Sequence, residues 1–517
     1  MHKDGISLSG LAEKNMFKFS KENEYEEKYT IKEIENEYGE YGEYGEITKK
    51  KIDDNKFYLI DDQNKECFYK LRNNNVGGPS IVFNRYHEAD KKTISHVKHV
   101  KNGEYEIIPN GKVVKKIVGF DANALYLWSL SQYMPTGFLS YENLEDKKIN
   151  VNELLDNTFG FYEVDIKVPE HLYDEFSEFP PIFKNVTLTE TKERKLISCL
   201  EVKKILLYHP LLKWYIDHGL VVEKIYGYIK SKECKTFNNF GDKVSDERRK
   251  GDDKSKPELK IIGDEMKNIG NSAFGRTAMN KSKHTKTIYK DVKQYKHSVN
   301  SPYFRDAEEF NNCFEIEMRK KTTYQNMPLQ ISSAIFQYTK LRMLQFYYDF
   351  LVKFVDRSDF QMLYMETDSM YMAITAEKFD EIIKPDMKLE YEKEKLKWFP
   401  QNLYETRTPG LFKVEYEGEA MICLCSKLYY CRGNEKDKFS NKGSQYKNNV
   451  DVIVFENYKT CLMNDVKMTV NNSGMRYLNG SIYWYSQTKV GLNPKYNKRN
   501  IMSDRVTTYP LISSQYE

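Results

Sequence analysis

Several things are missing from this chain of 517 residues. No run approaches the roughly 18–20 consecutive apolar residues that a membrane-spanning helix needs. The N-terminus, MHKDGISLSGLAEKNMF, lacks the continuous apolar stretch of a signal peptide. An intracellular, reducing location, nucleus or cytoplasm, is therefore expected, with no membrane partner. Cysteine is scarce: there are eight, none in a C-x-x-C pair. Four zinc ligands at matched spacing cannot be assembled from them, so they read as small buried hydrophobes. A large charge imbalance is also absent, since 80 Lys+Arg against 76 Asp+Glu leave +4. Aromatic residues are plentiful instead, with 40 Tyr and 28 Phe, enough for large cores.

The small net charge conceals two unlike parts. Glu22 to Glu46 holds ten Glu and two Lys, a local −8, so the remainder carries +4 − (−8) = +12. This stretch contains the repeat EYGEYGEYGE and reads as a loosely ordered arm. A short strand is expected at Lys56–Ile60, and the globular part near Cys67. KKIVGFD (Lys115–Asp121) reads as an apolar strand and ALYLWSLSQ (Ala124–Gln132) as a helix. Lys203–Leu220 has the spacing of two amphipathic helices broken at His209-Pro210, and Thr236–Lys256 is polar enough to be a loop. A helix follows from Pro257 to a stop at Gly275. Ser332–Phe354 is a long apolar helix, and Phe360–Ile374 reads as two strands around a tight turn. Lys442–Glu517 shows no strong periodicity. Interleaved strands and helices of this kind make the chain α+β.

Three segments are candidates for chemistry. Asp121 ends an apolar strand just before a helix, where it could cap the helix or, held rigidly, ligate a metal; Tyr126 would lie beside whatever binds there. On the helix from Pro257, Lys260, Lys267 and Asn271 recur at i, i+7 and i+11, and the stripe continues to Phe274. Such a face is commonly just solvated, but lysines beside an aromatic also suit a nucleotide's phosphates and base. The turn Glu366-Thr367-Asp368-Ser369 joins two strands of buried pattern, MLYM and MYMAI. Carboxylates held there are costly unless cations neutralise them. Asp121 and Asp368 together could bind two Mg²⁺ ions.

Taken in order, these segments resemble the family B DNA polymerases, and within them the protein-primed branch. The pattern D-x-x-S-L-Y-P is matched by Asp121-Ala-Asn-Ala-Leu-Tyr126-Leu, and K-x-x-x-N-S-x-Y-G by Lys267-Asn-Ile-Gly-Asn271-Ser272-Ala-Phe274-Gly275. Y-x-D-T-D-S appears as Tyr364-Met-Glu366-Thr367-Asp368-Ser369, K-x-Y as Lys427-Leu-Tyr429, and Y-x-G-G is echoed by Asn75-Val-Gly77-Gly78. The resemblance implies a right-hand fold of palm, fingers and thumb with two insertions, and template-directed addition of dNTPs to a primer. Asp121 and Asp368 would carry the metals, two Mg²⁺ or Mn²⁺. Tyr126 would exclude a 2′-hydroxyl, and Lys267 would meet the triphosphate, helped by Lys260 or the Arg248/Arg249 pair. Asn271 and Phe274 would line the base-pair pocket, Lys427 and Tyr429 would hold the primer, and Gly77-Gly78 the template. Primer–template DNA and dNTPs are the implied partners, with a terminal protein as a further one and a viral, plasmid or transposon context.

The implied organisation is an acidic arm (1–66), first palm part (67–137), terminal-protein-like insertion (138–230), fingers (231–276), strand-displacement-like insertion (277–326), second palm part (327–435) and thumb (436–517). Little besides the arm precedes Gly77, and no exonuclease constellation lies there, so no 3′–5′ proofreading is expected. The sequence departs from the patterns at Asn75, Ala124, Leu127, Phe274 and Glu366. The last stands where the family has Asp, which keeps open an alternative, a silent descendant that only binds single-stranded or primed DNA.

Overall fold

The computed structural model describes residues 12, 16, 58–60 and 63–516, apart from 102, 254, 311–312, 323–326 and 479–480. The acidic stretch from Glu22 to Glu46 lies outside the described residues, as do Lys56 and Phe57 of the strand expected at Lys56–Ile60; Tyr58–Ile60, which are described, are not in a strand.

At the centre is an antiparallel sheet whose strands come from four separated stretches of sequence. They are β1 (Ser80–Val82), β2 (Tyr86–Glu88), β3 (Lys116–Ala122), β4 (Phe360–Glu366), β5 (Ser369–Ile374), β6 (Phe412–Cys425), β7 (Leu428–Gly433) and β8 (Lys438–Asn441). Their order is β1-β4-β5-β3-β6-β7-β8, with β2 paired to β6. Phe360 to Met365 are buried without interruption, as a continuous apolar run bounded by turn residues should be in a sheet covered on both faces. The tight turn expected between β4 and β5 is present, closed by the pair Glu366–Ser369.

Four helices surround the functional part of this sheet: α1 (Leu125–Leu130), α2 (Asn238–Lys250), α3 (Glu258–Ser272) and α4 (Leu329–Leu344). The long helix expected at 332–354 is α4, continued as a π-helix over Gln345–Leu351. Its end packs on the sheet through Phe346, stacked on Phe412 at 3.8 Å and edge-on to Phe120 at 5.5 Å. The stretch between α1 and α2 forms its own antiparallel sheet, in the order 201–208, 160–167, 221–234, 134–143. Between α3 and α4 lies a three-stranded sheet with Cys313–Arg319 in the middle. The chain is thus α+β, as expected.

Some local expectations are corrected. Glu201–Tyr208 is a strand, not the first of two helices, and only His209–Asp217 is helical. Ile205 to Tyr208 are all buried, which no single helix face allows, and Gly160–Lys167 supplies the hydrogen-bonding partner. The polar stretch taken as a loop is largely α2. Phe240, Gly241, Val244 and Ser245 form a narrow buried stripe that suffices because α3 packs beside it. The two helices touch backbone to backbone at Gly251 and Gly263, where a Cβ on either would overlap the other's Cα. Asp121 caps no helix; it stays in the β3 ladder, and α1 begins at Leu125. The C-terminal region holds a helix, Phe455–Asn464, and a long hairpin of β9 (Met468–Leu478) and β10 (Ser481–Leu492). Six of the eight cysteines are buried and all are free; burial pushes the Cys67 and Cys199 thiols up to about 12.

Candidate active site

The site grows from the register of three neighbouring strands. Ser369 on β5 pairs with Asp121 on β3, and Asp121 with Lys413 on β6, so the three side chains form a row across the sheet. Ser369 Oγ donates to Asp121 at 3.3 Å, and Lys413 Nζ lies 3.0 Å from its other oxygen. Asp368 stands at the turn beside them, its carbonyl accepting from the Ala122 N–H at 2.8 Å. Burial, reinforced by the charge of Asp121, pushes the Asp368 carboxyl up to about 7. The charge of Asp121 thus adds to the cost of ionising the buried Asp368, a cost that a cation would relieve. Among the described residues, no group of three or more His, Cys, Asp or Glu is gathered closely enough to hold a metal ion.

The glycine pair meets this turn directly. The Thr367 N–H donates to the Pro79 carbonyl at 2.6 Å, and a Cβ on Gly78 would overlap the Thr367 side chain, whereas a Cβ on Gly77 would meet open space. Thr367 is held at φ 52°, costly for a β-branched residue. Ala124 (φ 43°) and Lys427 (φ 62°), on two other motifs, share this left-handed region. Strained backbone gathered at one place is maintained only by surroundings that over-determine it, and such places are often functional.

Glu366 is engaged on two sides. It accepts from the Tyr364 hydroxyl at 2.7 Å and is ion-paired with Lys427. Tyr364 also takes the Lys427 N–H at 3.1 Å and pairs with Ser80 Oγ at 2.9 Å. The Ser80 carbonyl accepts from Ser426 Oγ and from Lys498 Nζ at 2.8 Å. Burial and the neighbouring Lys195 lower the Lys498 ammonium to about 8. A continuous hydrogen-bond chain therefore links residue 498 to the glycine loop, the acidic turn and Lys427. Tyr429 lies beneath, buried, 5.2 Å from Tyr364 and 6.0 Å from Tyr371 between ring centroids.

On the other side of Asp368, Tyr126 stacks on Phe274 at 4.2 Å, with Phe336 of α4 edge-on to both. Burial and the Asp368 charge raise the Tyr126 hydroxyl to about 12, and the Thr367 side chain bonds it. Lys340, one turn beyond Phe336, is buried and donates to the Val76 carbonyl at 3.0 Å, just before Gly77. Its ammonium is lowered to about 7 by burial. Lys260, Lys267 and Asn271 project from α3 into solvent. Arg249 stacks on Tyr404 at 3.9 Å and donates to Asp246 on its own helix and to Thr408, so it is already occupied; Arg248 is half-buried near Arg407.

The structure thus brings together Asp121, Asp368, Tyr126, Phe274, Gly77, Gly78, Lys427 and Tyr429, and leaves Lys260, Lys267 and Asn271 on a free helix face. Sequence reasoning missed Lys413, Lys340 and Lys498. The only signal for the first was its place on a strand that must flank Asp121; the other two lie in segments with no motif.

The family described as DNA polymerase type B, organellar and viral, matches residues 98–368. The chain matches no curated protein by sequence. Among solved structures it is similar to Phi29 DNA polymerase complexed with primer-template DNA and incoming nucleotide substrates. That likeness has a TM-score of 0.53 and 14% identity, over 94% of this chain and 68% of that one. The orthorhombic crystal form of the same polymerase is as similar, with a TM-score of 0.53 and 14% identity over 93% and 68%. These likenesses show the fold, an α+β right hand. Among the described residues no helix is long and apolar enough to cross a membrane.

Proposed function

The chain belongs to the organellar and viral type B DNA polymerases, and on that premise we propose that it adds dNTPs to a primer on a DNA template. The observation that carries the reading is Asp121 on β3 with Asp368 at the adjoining β4–β5 turn, beside the Tyr126–Phe274 pair and next to the Gly77-Gly78 loop. Joining the primer 3′-oxygen to the α-phosphorus of a dNTP releases pyrophosphate and asks a protein mainly for positioning and charge neutralisation. Asp121 and Asp368 would hold the divalent cations, Mg²⁺ or Mn²⁺, which when bound neutralise the reacting phosphate and favour the 3′-oxygen as nucleophile.

The remaining tasks fall to groups already in place. Tyr126, fixed by Phe274 and Thr367, lies where the sugar of a dNTP would rest and leaves no room for a 2′-hydroxyl. Lys267, with Lys260 as helper and Asn271 below it, supplies mobile charge and an amide from α3. Lys427, held by Glu366, presents its ammonium to the primer phosphates, with Tyr429 beneath. Gly77, open to solvent, admits the template backbone. We read the eight-stranded sheet as the palm, α2 and α3 as the fingers, and the region after 436 as the thumb. The separate sheets at 134–234 and 285–319 fit the two insertions of the protein-primed branch, with a terminal protein as primer and a mobile or viral element as setting.

Primer extension with and without Mg²⁺ tests this reading. The unmodified chain is expected to extend a labelled primer only with the cation, and Asp368→Asn to abolish it; extension that survives this change would sink the two-carboxylate assignment. The ion pair from Lys413 to Asp121 favours a second reading, in which lysine has taken the cation's place and the chain binds DNA without synthesis. A chain that shifts primer–template in a gel yet extends nothing, and gains Mg²⁺-dependent extension from Lys413→Ala, would establish that alternative.

A further inference from the structure

Two histidines tie the region 134–234 to the central sheet and to the helix packed on it, and both are bonded at each ring nitrogen. His96 lies on a hairpin of Thr93–His99 and Tyr105–Val113. Its Nδ1 is 3.1 Å from Glu178 Oε2, and its Nε2 is 2.6 Å from the Arg357 carbonyl, just before β4. His218 follows the helix His209–Asp217. Its Nε2 is 2.7 Å from Asp349 Oδ1, on the π-helix that continues α4, and its Nδ1 is 2.8 Å from the Trp214 carbonyl. A neutral imidazole carries one N–H and one lone pair, so it can donate to only one of two such oxygens. The other would face it lone pair to lone pair. With oxygens at both ends, each ring is satisfied only as an imidazolium.

The neighbours favour that charge. Glu178 is buried, and besides His96 it accepts from Arg357 Nη2 at 3.0 Å and from the Met362 N–H of β4 at 3.1 Å. Asp349 also accepts from Trp214 Nε1 at 3.1 Å, and the indole stacks on His218 at 3.8 Å, where its ring face attracts a cation. The charged groups facing His96 are Glu178 and Arg357; those facing His218 are Asp349 and Asp217. Burial opposes the charge on both rings, but the carboxylates outweigh it and raise both above the ordinary histidine value. Further bonds across this junction, from the Tyr348 hydroxyl to the Phe179 carbonyl and from Gln337 to the Leu206 carbonyl, join neutral groups. We propose that His96 and His218 form a pH-sensitive latch, which holds the region 134–234 on the central sheet while both rings are protonated and loosens as they lose that proton. The stabilisation is complete below about pH 6.5 and is lost as pH rises through the raised values. The latch shares no residue with the carboxylate site and does not depend on the polymerase reading.

Exchange of the imidazole C2 hydrogen for deuterium, read by mass spectrometry of the full chain across pH, follows each ring separately. His96 and His218 are expected to titrate with midpoints roughly half a unit or more above about 6.5. A midpoint at or below that value for either ring would overturn the proposal. Amide hydrogen exchange, corrected for its intrinsic pH dependence, should rise between about pH 6 and about pH 9 in Tyr173–Phe176 and His209–Asp217 while β3, β4 and β5 stay protected. A uniform change along the chain would show general loosening and no latch. The double change His96→Gln with His218→Gln removes the titration, and Asp368 titrates in both chains, so their difference in melting temperature isolates the histidines. The parent should melt higher at about pH 6, and that gap should shrink by about half or more by about pH 9. An equal gap at both pH values would refute the latch; the exchange measurements on the parent stand even where the double does not fold.

Discussion

The acidic turn and the helix α3 are built in opposite ways. Around the turn several groups are already committed: Asp121 to Ser369 and Lys413, Glu366 to Tyr364 and Lys427, and the Thr367 N–H to the Pro79 carbonyl. Along α3, Lys260, Lys267 and Asn271 are exposed, and among the described residues their side chains have no hydrogen bond or ion pair. The difference follows from the elements. Strands in a shared sheet fix their side chains by register, whereas one face of α3 packs on α2 and α1 and the other is left to solvent. One half is held by its neighbours, and the other presents exposed cations.

Perturbing the two halves should give different signatures. Asp121→Asn is expected to lower kcat for primer extension by about a thousandfold, while primer–template affinity by anisotropy changes little; an equal loss of affinity would place Asp121 outside the reacting centre. Gly78→Ala should cost about a hundredfold in kcat, since its methyl displaces Thr367 and with it the turn. Near-normal extension by that variant would show that the loop is not held as described. Glu366→Asp retracts the carboxylate by one methylene from Lys427. Its expected loss is about tenfold, read as faster dissociation of the primer end. An increase in synthesis would instead identify Glu366 as a defect rather than a partner. Lys267→Ala, on the free side, should raise KM for dNTPs about tenfold with an unchanged melting temperature.

The smallest effect concerns stability. The Asp368 pKa is raised from 3.8 to about 7 in the fold, so ionising it opposes folding. Its contribution is fully favourable below about pH 4 and is lost as pH rises through about 7. In Mg²⁺-free buffer, Asp368→Asn should therefore raise the melting temperature at about pH 8 and have little effect at about pH 4. Added Mg²⁺ should stabilise the parent at the higher pH but not the variant. The opposite order would show that the carboxylate is not buried beside Asp121.

How much of this could be read beforehand depended on the kind of residue. Asp121, Asp368, Tyr126 and Lys427 announce themselves because each sits in a short pattern with local structural meaning, a strand end or a tight turn. Lys413, Lys340 and Lys498 do not. Their importance lies in what they touch, and their partners are 292, 264 and 418 positions away in the chain. The strand at Glu201–Tyr208 was misread for a related reason. ILLY satisfies helix and strand alike, and only the partner Gly160–Lys167 decides between them. α2 was missed because its buried stripe is narrow and becomes worth burying only against α3 and α1.

From sequence alone, this protein's α+β class, its order of motifs and the basic character of its body were determined, since each rests on local periodicity, residue chemistry or simple counting. The tertiary structure decided which groups are committed and which are free. It turned Glu366 towards Lys427, set Gly78 against Thr367 and left Met475 and Trp484 of the β9–β10 ribbon exposed. Those outcomes depend on long-range register and on the depth at which each group is desolvated, and neither is carried by any stretch of sequence short enough to read as a pattern.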